Sequence, residues 1–221
     1  MKTITFDDIK NSEEIKTYIR QADASLLALG YTEHAFAHVM RCADLASRWL
    51  LQLGYTERDA ELARIAAYMH DIGNLVNRAD HAQSGAIIAY DILIRMGMPP
   101  ADVAPVVTAI GNHDEKTGFP VNAIAAALIL ADKTDVRRSR VRNTETIHLD
   151  IHDRVNYAVE KAVTQLDLEN RILTLALEID TTICAVMDYF EIFMERMLLC
   201  RRAAEYFELR FQLKINGSTL M

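Results

Sequence analysis

The sequence predicts a mainly α protein: a helical bundle over residues 1–150, followed by a small C-terminal α+β extension of ββαβ order over residues 151–221. Three observations predict it. From about Asp7 to Asn143 apolar residues recur at the three-and-four spacing of a helix. The segments so marked are separated by glycines, prolines and residues able to cap helix ends. After about Asp150 the apolar period falls to two, the signature of strands.

Five or six helices are expected in the first region. Ile15, Tyr18, Ile19, Ala22, Leu26 and Leu29 form one stripe that ends at Gly30. Thr32 is placed to cap a second helix running to Leu53 and ending at Gly54. Thr56 with Asp59 three residues on reads as a capping box for a helix that reaches His70. Asp80 is expected to cap a helix that reaches Met96 and stops at Gly97. Pro99-Pro100 opens the segment carrying Val103 to Ile110, with Pro105 either bending it or marking its start. Asn122 can cap Ala123 to Thr134, whose Ile124, Ala127, Leu128 and Ala131 mark a buried element.

In the second region Tyr157 to Leu166 alternates loosely, and Leu173, Leu175, Leu177 and Ile179 alternate cleanly. A turn near Asp167 to Asn170 makes these a hairpin. Ile183 to Phe207 reads as a helix whose Phe190, Phe193, Leu198 and Leu199 cover the sheet. Leu209, Phe211, Leu213 and Ile215 read as a third strand. A two-layer unit this small needs another surface to lean on, so its outer face is a candidate homodimer contact or effector site.

Composition narrows the function. The chain has 221 residues, 51% of them hydrophobic, enough for a substantial core. A net charge of −7 disfavours nucleic acid as a partner and leaves room only for a local anion site. Cys42, Cys184 and Cys200 lie in apolar helical stretches without paired spacing, and read as reduced core residues. The opening MKTITFDDIK lacks the apolar core of a secretory signal, and no apolar run reaches the ~18 residues of a membrane span, so a cytoplasmic location without membrane association is expected.

The dipeptide His-Asp occurs at His70-Asp71, His113-Asp114 and His152-Asp153, so context must choose among them. His70-Asp71 closes an apolar helix (Ile65, Ala66, Tyr68, Met69) and precedes Gly73, where the chain can turn sharply. A buried imidazole and carboxylate are costly without partners, and a divalent ion satisfies both. His38, His81, His113 and Asp132 lie on or beside neighbouring helices among apolar residues, and antiparallel helices can bring such positions together. Mixed nitrogen and oxygen ligands suit iron, manganese, nickel or zinc, as one or two ions, rather than calcium. His34, four residues before His38, is expected beside the site rather than in it. Lys133, Arg137, Arg138, Arg140 and Arg142 follow the last aspartate; Lys133, Arg137 and Arg142 are candidates to hold non-reacting phosphates. Asp114 or Glu115 is placed to act as a general acid. Asn74 and Arg78 fall in the loop near the metal without an evident role.

The sequence resembles the HD-domain superfamily of metal-dependent phosphohydrolases. The resemblance runs through HVMRCADLA from His38, AAYMHDIG with His70 and Asp71, HAQSGA from His81, AIGNH ending at His113, and LILADKTD with Asp132, over roughly residues 30–143. It implies metal ligation by His38, His70, Asp71 and Asp132, with His81 and His113 completing a second metal site. NHDEKTGFP, Asn112 to Pro120, is similar to a degraded HD-GYP signature of cyclic-di-GMP phosphodiesterases. It departs from that signature at Asn112, at Asp114 and in the shortened Gly118-Phe119-Pro120 ending. The layout resembles equally the symmetrical dinucleoside tetraphosphate hydrolases of the HD group. The function expected is hydrolysis of a phosphate ester or anhydride of a small, nucleotide-like molecule through metal-activated water, with His70, Asp71, Lys133 and Asp114 at the reacting centre. The alternatives are an HD-type di-iron oxygenase and a non-catalytic nucleotide-binding signalling module.

Overall fold

The computed structural model describes residues 3–142 and 151–221. The helical periodicity reaching Asn143 and the boundary drawn at residue 150 end among residues outside that description. The chain runs α1 (Phe6–Asn11), α2 (Glu13–Ala28), α3 (Phe36–Gln52), α4 (Glu57–Met69), α5 (His81–Arg95), α6 (Pro100–Gly111) and α7 (Ala123–Lys133). It then continues as α8 (Ile151–Ala158), β1 (Val159–Asp167), β2 (Ile172–Ile179), α9 (Val186–Tyr206), β3 (Arg210–Ile215) and β4 (Ser218–Thr219). Short 3-10 turns occupy Ile72–Leu75 and Arg138–Arg140.

Helix α7 is the axis of the bundle. Its sequence AIAAALILADK is apolar all round, and every residue from Ile124 to Ala131 is buried. A helix with no polar face must be surrounded, and its alanines let neighbours approach closely; α3, α4, α6 and α9 all pack against it. Asn122 caps it by accepting a hydrogen bond from the Ala125 amide. The Thr56–Asp59 capping box of α4 is formed in full, and a second one, Thr5 with Asp8, opens α1.

Four expectations are corrected. Thr32 does not cap α3, which begins only at Phe36 without a side-chain cap. Asp80 does not cap α5 through its side chain; it sits in the left-handed region at φ 56° and acts by turning the chain. Seven α-helices, rather than five or six, occupy the described part of the first region, because the short α1 was not recognised and Pro105 lies inside α6. Tyr157 belongs to the unforeseen α8, so β1 starts two residues later, at Val159.

The C-terminal unit has the expected ββαβ order with a two-residue strand added. The sheet order is β1-β2-β3-β4, with β1 antiparallel and β3 parallel to β2. Helix α9 supplies the crossover and packs on β3 and on α7. Leu173, Leu175 and Leu177 of β2 are buried with Phe211, Leu213 and Ile215 of β3. The bundle is thus the surface on which this unit leans. Among the described residues no helix is long and apolar enough to cross a membrane.

One close approach fixes the bundle around its buried polar groups. Gly73, in the 3-10 turn after α4, lies so near the start of α5 that an added Cβ would overlap the His81 carbonyl oxygen and the Gly85 amide nitrogen. Both obstacles are backbone and cannot swing aside. Replacing Gly73 by alanine is expected to lower stability by about 2 kcal/mol or more. Gly85→Ala, whose Cβ would sit 3.2 Å from the Gly73 nitrogen, is expected to cost less. Urea unfolding of the two variants checks this; a Gly73→Ala protein as stable as wild type would refute the close-packing account.

Candidate metal centre

His38 projects from α3, His70 and Asp71 end α4, His81 begins α5, His113 follows α6 and Asp132 lies near the end of α7. The bundle gathers all six. His38, His70 and His113 are fully buried, His81 and Asp71 nearly so, and the Asp132 side chain is 11% exposed. Asp71 stands between two subsets. Its Oδ2 is 3.2 Å from His70 Nε2 and 3.7 Å from His38 Nε2, with Asp132 Oδ1 3.4 Å from His38 Nε2. Its Oδ1 is 3.6 Å from His81 Nε2 and 4.0 Å from His113 Nε2.

The imidazoles are oriented by one repeated device. His70 Nδ1 donates to the Ala67 carbonyl at 2.7 Å, His81 Nδ1 to Arg78 at 3.1 Å and His113 Nδ1 to Ile110 at 2.6 Å. Each acceptor lies three residues earlier in the chain. His38 Nδ1 donates instead to Asp135 Oδ2 at 2.8 Å. Carbonyl and carboxylate oxygens cannot donate, so Nδ1 carries the proton in each ring and Nε2 is left as the inward-facing base.

The Nε2 atoms converge. His38 and His70 bring theirs to 3.3 Å, and His81 and His113 to 3.2 Å. Neutral rings in this tautomer would oppose lone pairs at those distances, so the arrangement calls for a cation among them. Electrostatics agree. Burial works against ionising His70, but Asp71 and Asp132 outweigh it and push its pKa up. Burial likewise opposes ionised Asp71, but His70 and the neighbouring imidazoles hold its carboxyl well below the usual range. Asp132 is held well below its usual range too: Lys133, His38 and His70 overcome the effect of burial. His113 and His81 are pushed down mainly by burial and stay neutral, available as ligands. The donor set fits one or two divalent transition ions, with Asp71 placed to bridge two.

Residues outside the six orient them. Asp135, buried, receives His38 and is itself held by Arg41 Nε at 3.0 Å and Arg137 Nε at 2.5 Å. Asn74 Nδ2 donates to the Asp71 carbonyl at 2.9 Å and to Asp71 Oδ1 at 3.0 Å. Lys133 Nζ lies 2.7 Å from Asp132 Oδ2 and 2.8 Å from Glu115 Oε2, and Glu115 Oε1 meets Arg196 Nε of α9 at 3.2 Å. Asp132 and Glu115 raise the Lys133 pKa against the effect of burial, so its ammonium stays charged. Cys42 Sγ is 3.6 Å from His38 Nδ1, but burial pushes its pKa well up and it remains a thiol.

A cleft of about 810 Å³ reaches this centre at His81, and is lined also by His34, Arg78, Asp114 and Glu115 from the bundle and by Phe193 and Arg196 from α9. His34 does not share a helix with His38. It stands in the preceding loop, donates Nδ1 to the Thr32 carbonyl at 2.6 Å and sets its ring edge-on to His38 at 5.6 Å. Of the proposed anion-binding residues, Arg137 is engaged with Asp135, Arg142 with Asp23, and Lys133 with Asp132 and Glu115. Asp114 faces the cleft, half-buried.

Asp135 and Arg196 have no place at the centre in the sequence reading, and Glu115, a candidate general acid there, is instead paired with Lys133 and Arg196. Asp135 carried a signal: it follows Asp132 by three residues, one helical turn, in ADKTD. No spacing announces the meeting of Glu115 and Arg196 across 81 residues.

These features define the class: a helical bundle whose interior holds a histidine and aspartate metal centre. The HD domain matches residues 35–191, most of the chain and all six candidate ligands. The chain belongs to the HD domain family. An uncharacterized protein of Methanocaldococcus jannaschii is 26% identical over 160 residues, which cover 62% of this chain and 61% of that relative. The chain thus spans about three fifths of the relative it matches. A solved structure, described as a predicted HD superfamily hydrolase from an uncultured Thermotogales bacterium, is 30% identical over 56% of this chain and 67% of its own, with a TM-score of 0.45.

Because Asp135 sets the ring of His38, Asp135→Asn is expected to weaken binding of manganese or zinc about 10- to 100-fold while leaving the helical content intact. Metal titration followed by circular dichroism checks this; unchanged affinity would show that His38 needs no such support.

Proposed function

We propose that this chain is a metal-dependent phosphohydrolase acting on a phosphate ester or anhydride of a small, nucleotide-like molecule. The observation that carries the reading is the convergence of four inward-facing Nε2 atoms and two carboxylates, reached at His81 by a cleft large enough for such a ligand. The ions, when bound, supply a Lewis acid that activates water for attack on phosphorus and offsets the charge of the phosphoryl group.

The chain's own residues do the rest. His38, His70, Asp71 and Asp132 would hold one ion, and Asp71 with His81 and His113 a second. Lys133, held between Asp132 and Glu115, keeps a fixed positive charge beside the centre. Asp114, on the cleft wall, is positioned to give a proton to a departing oxygen. Helix α9 closes one side of the cleft, limiting access of bulk water.

The test is phosphate release from nucleotides, dinucleoside polyphosphates and cyclic dinucleotides, with protein loaded separately with manganese, iron, nickel and zinc. Metal-dependent turnover is expected, falling at least 1000-fold in Asp71→Ala, on the order of what loss of a reaction-centre group costs. No turnover with any metal at full occupancy would sink the reading in favour of iron and oxygen chemistry or non-catalytic nucleotide binding.

A further inference from the structure

The cleft holds two arginines that the ligand set does not use and that carry no complete set of protein partners. Arg78 approaches from the loop before α5. Its Nη1 lies 3.3 Å from His81 Nε2 and 3.5 Å from Asn74 Oδ1, its guanidinium stands 5.4 Å from the Tyr31 ring, and among the described residues it pairs with no carboxylate. An ion bound by His81 takes the lone pair that Arg78 now faces. The guanidinium is then left with only the long contact to Asn74 Oδ1 beside the centre, where an anion would satisfy it.

Arg196 approaches from the other wall, on α9. Its Nε meets Glu115 at 3.2 Å and its guanidinium carbon lies 4.8 Å over the Phe193 ring, which fixes the side chain. Its two Nη groups have no protein acceptor among the described residues, and the side chain is 22% exposed in the cleft. The run Arg196–Glu115–Lys133–Asp132 ties this arginine to the Asp132 end of the ligand row, whereas Arg78 sits at the His81 end.

Apart from Lys116, exposed on the cleft wall, the other cations near the centre are committed. Arg140 donates to the carbonyls of Glu33 and Asp135, and Lys133, Arg137 and Arg142 face carboxylates. The acids Asp80 and Glu195 on the same walls repel anions elsewhere in the cleft.

We propose that Arg78 and Arg196 form a clamp for a substrate with two or more linked phosphate groups, one arginine at each end of the metal centre. The clamp deepens the phosphohydrolase reading and rests on it for its reactive end. A lone phosphate held at the metal centre has no second phosphate group to offer an arginine; a diphosphate or longer chain does. The planar fork of each guanidinium matches phosphate oxygens pairwise. Arg196 would make the C-terminal unit part of substrate recognition.

The test is calorimetric titration of the metal-loaded protein with inorganic phosphate, pyrophosphate and tripolyphosphate, with metal content assayed before and after. Tripolyphosphate is expected to bind on the order of 10-fold or more tighter than phosphate. Arg196→Met should remove about that factor for tripolyphosphate and leave phosphate within about two-fold, while Arg78→Met weakens both. Arg196→Lys keeps a charge for Glu115 but loses the fork, and provides the same reading if the methionine variant does not fold; it should also lose tripolyphosphate affinity. Equal affinities for phosphate and tripolyphosphate, or Arg196 variants that bind tripolyphosphate as wild type does, would overturn the clamp. Tight tripolyphosphate binding without hydrolysis of any phosphate compound would leave the clamp standing and remove the phosphohydrolase reading alone.

Discussion

Two carboxylates and four imidazoles in a protein interior need a shared positive charge, and that need organises the molecule. Asp71 and Asp132 remain ionised although burial opposes it, because His70 and Lys133 stand beside them. The imidazoles in turn give Nδ1 to Ala67, Arg78, Ile110 or Asp135 and turn Nε2 inward, where only that of His81 also meets a cation, Arg78. Groups so arranged are costly without a cation and well served with one. The helices carrying them therefore have little freedom: a shift of one turn would move a ligand about 5 Å out of reach.

That demand sits next to the most apolar element in the chain. Helix α7 is buried from Ile124 to Ala131 and only at its last turn delivers Asp132, Lys133 and, just beyond, Asp135. The apolar run places the helix, and the polar end serves the centre. Asp132 is a candidate ligand, Lys133 links it to Glu115, and Asp135 orients His38. A charge lost at any of these three positions would be felt at the other two, because they share partners within a few ångströms. Gly73 plays the matching role on the other side, letting the turn after Asp71 lie directly on α5, so that His81 comes within reach of Asp71.

How much of this was legible follows from how local each signal is. Helix α7, the Thr56–Asp59 capping box and the strands β2 and β3 are legible from periodicity and cap residues, because those signals lie within one segment. Helix α3 starts later than Thr32 suggests because the preceding segment is held as a loop by distant partners, the Glu33 amide donating to the Arg140 carbonyl and the His34 amide to Asp23. Asp80 was misread because its role is a left-handed turn, which its identity permits but does not require. The six candidate ligands could be named because polar residues in apolar helices are conspicuous one at a time. The pairing of their supporting residues is not legible: Glu115 and Arg196 meet only through the packing of α9 on the bundle.

The same contrast explains how the C-terminal unit relates to the centre. Taken alone, the ββαβ segment offers a covered sheet and nothing chemical. Packed on α7, its helix closes the cleft and brings Arg196 to Glu115, one ion pair from Lys133 and two from Asp132. Each link in that run is short and largely shielded from water, so it is screened less than a surface pair would be. A displacement of α9 would free Glu115 to draw Lys133 away from Asp132, altering the charge that the metal ligands feel. The bundle provides the candidate ligands, but the electrostatic setting of Asp132 among them depends on a helix from outside it.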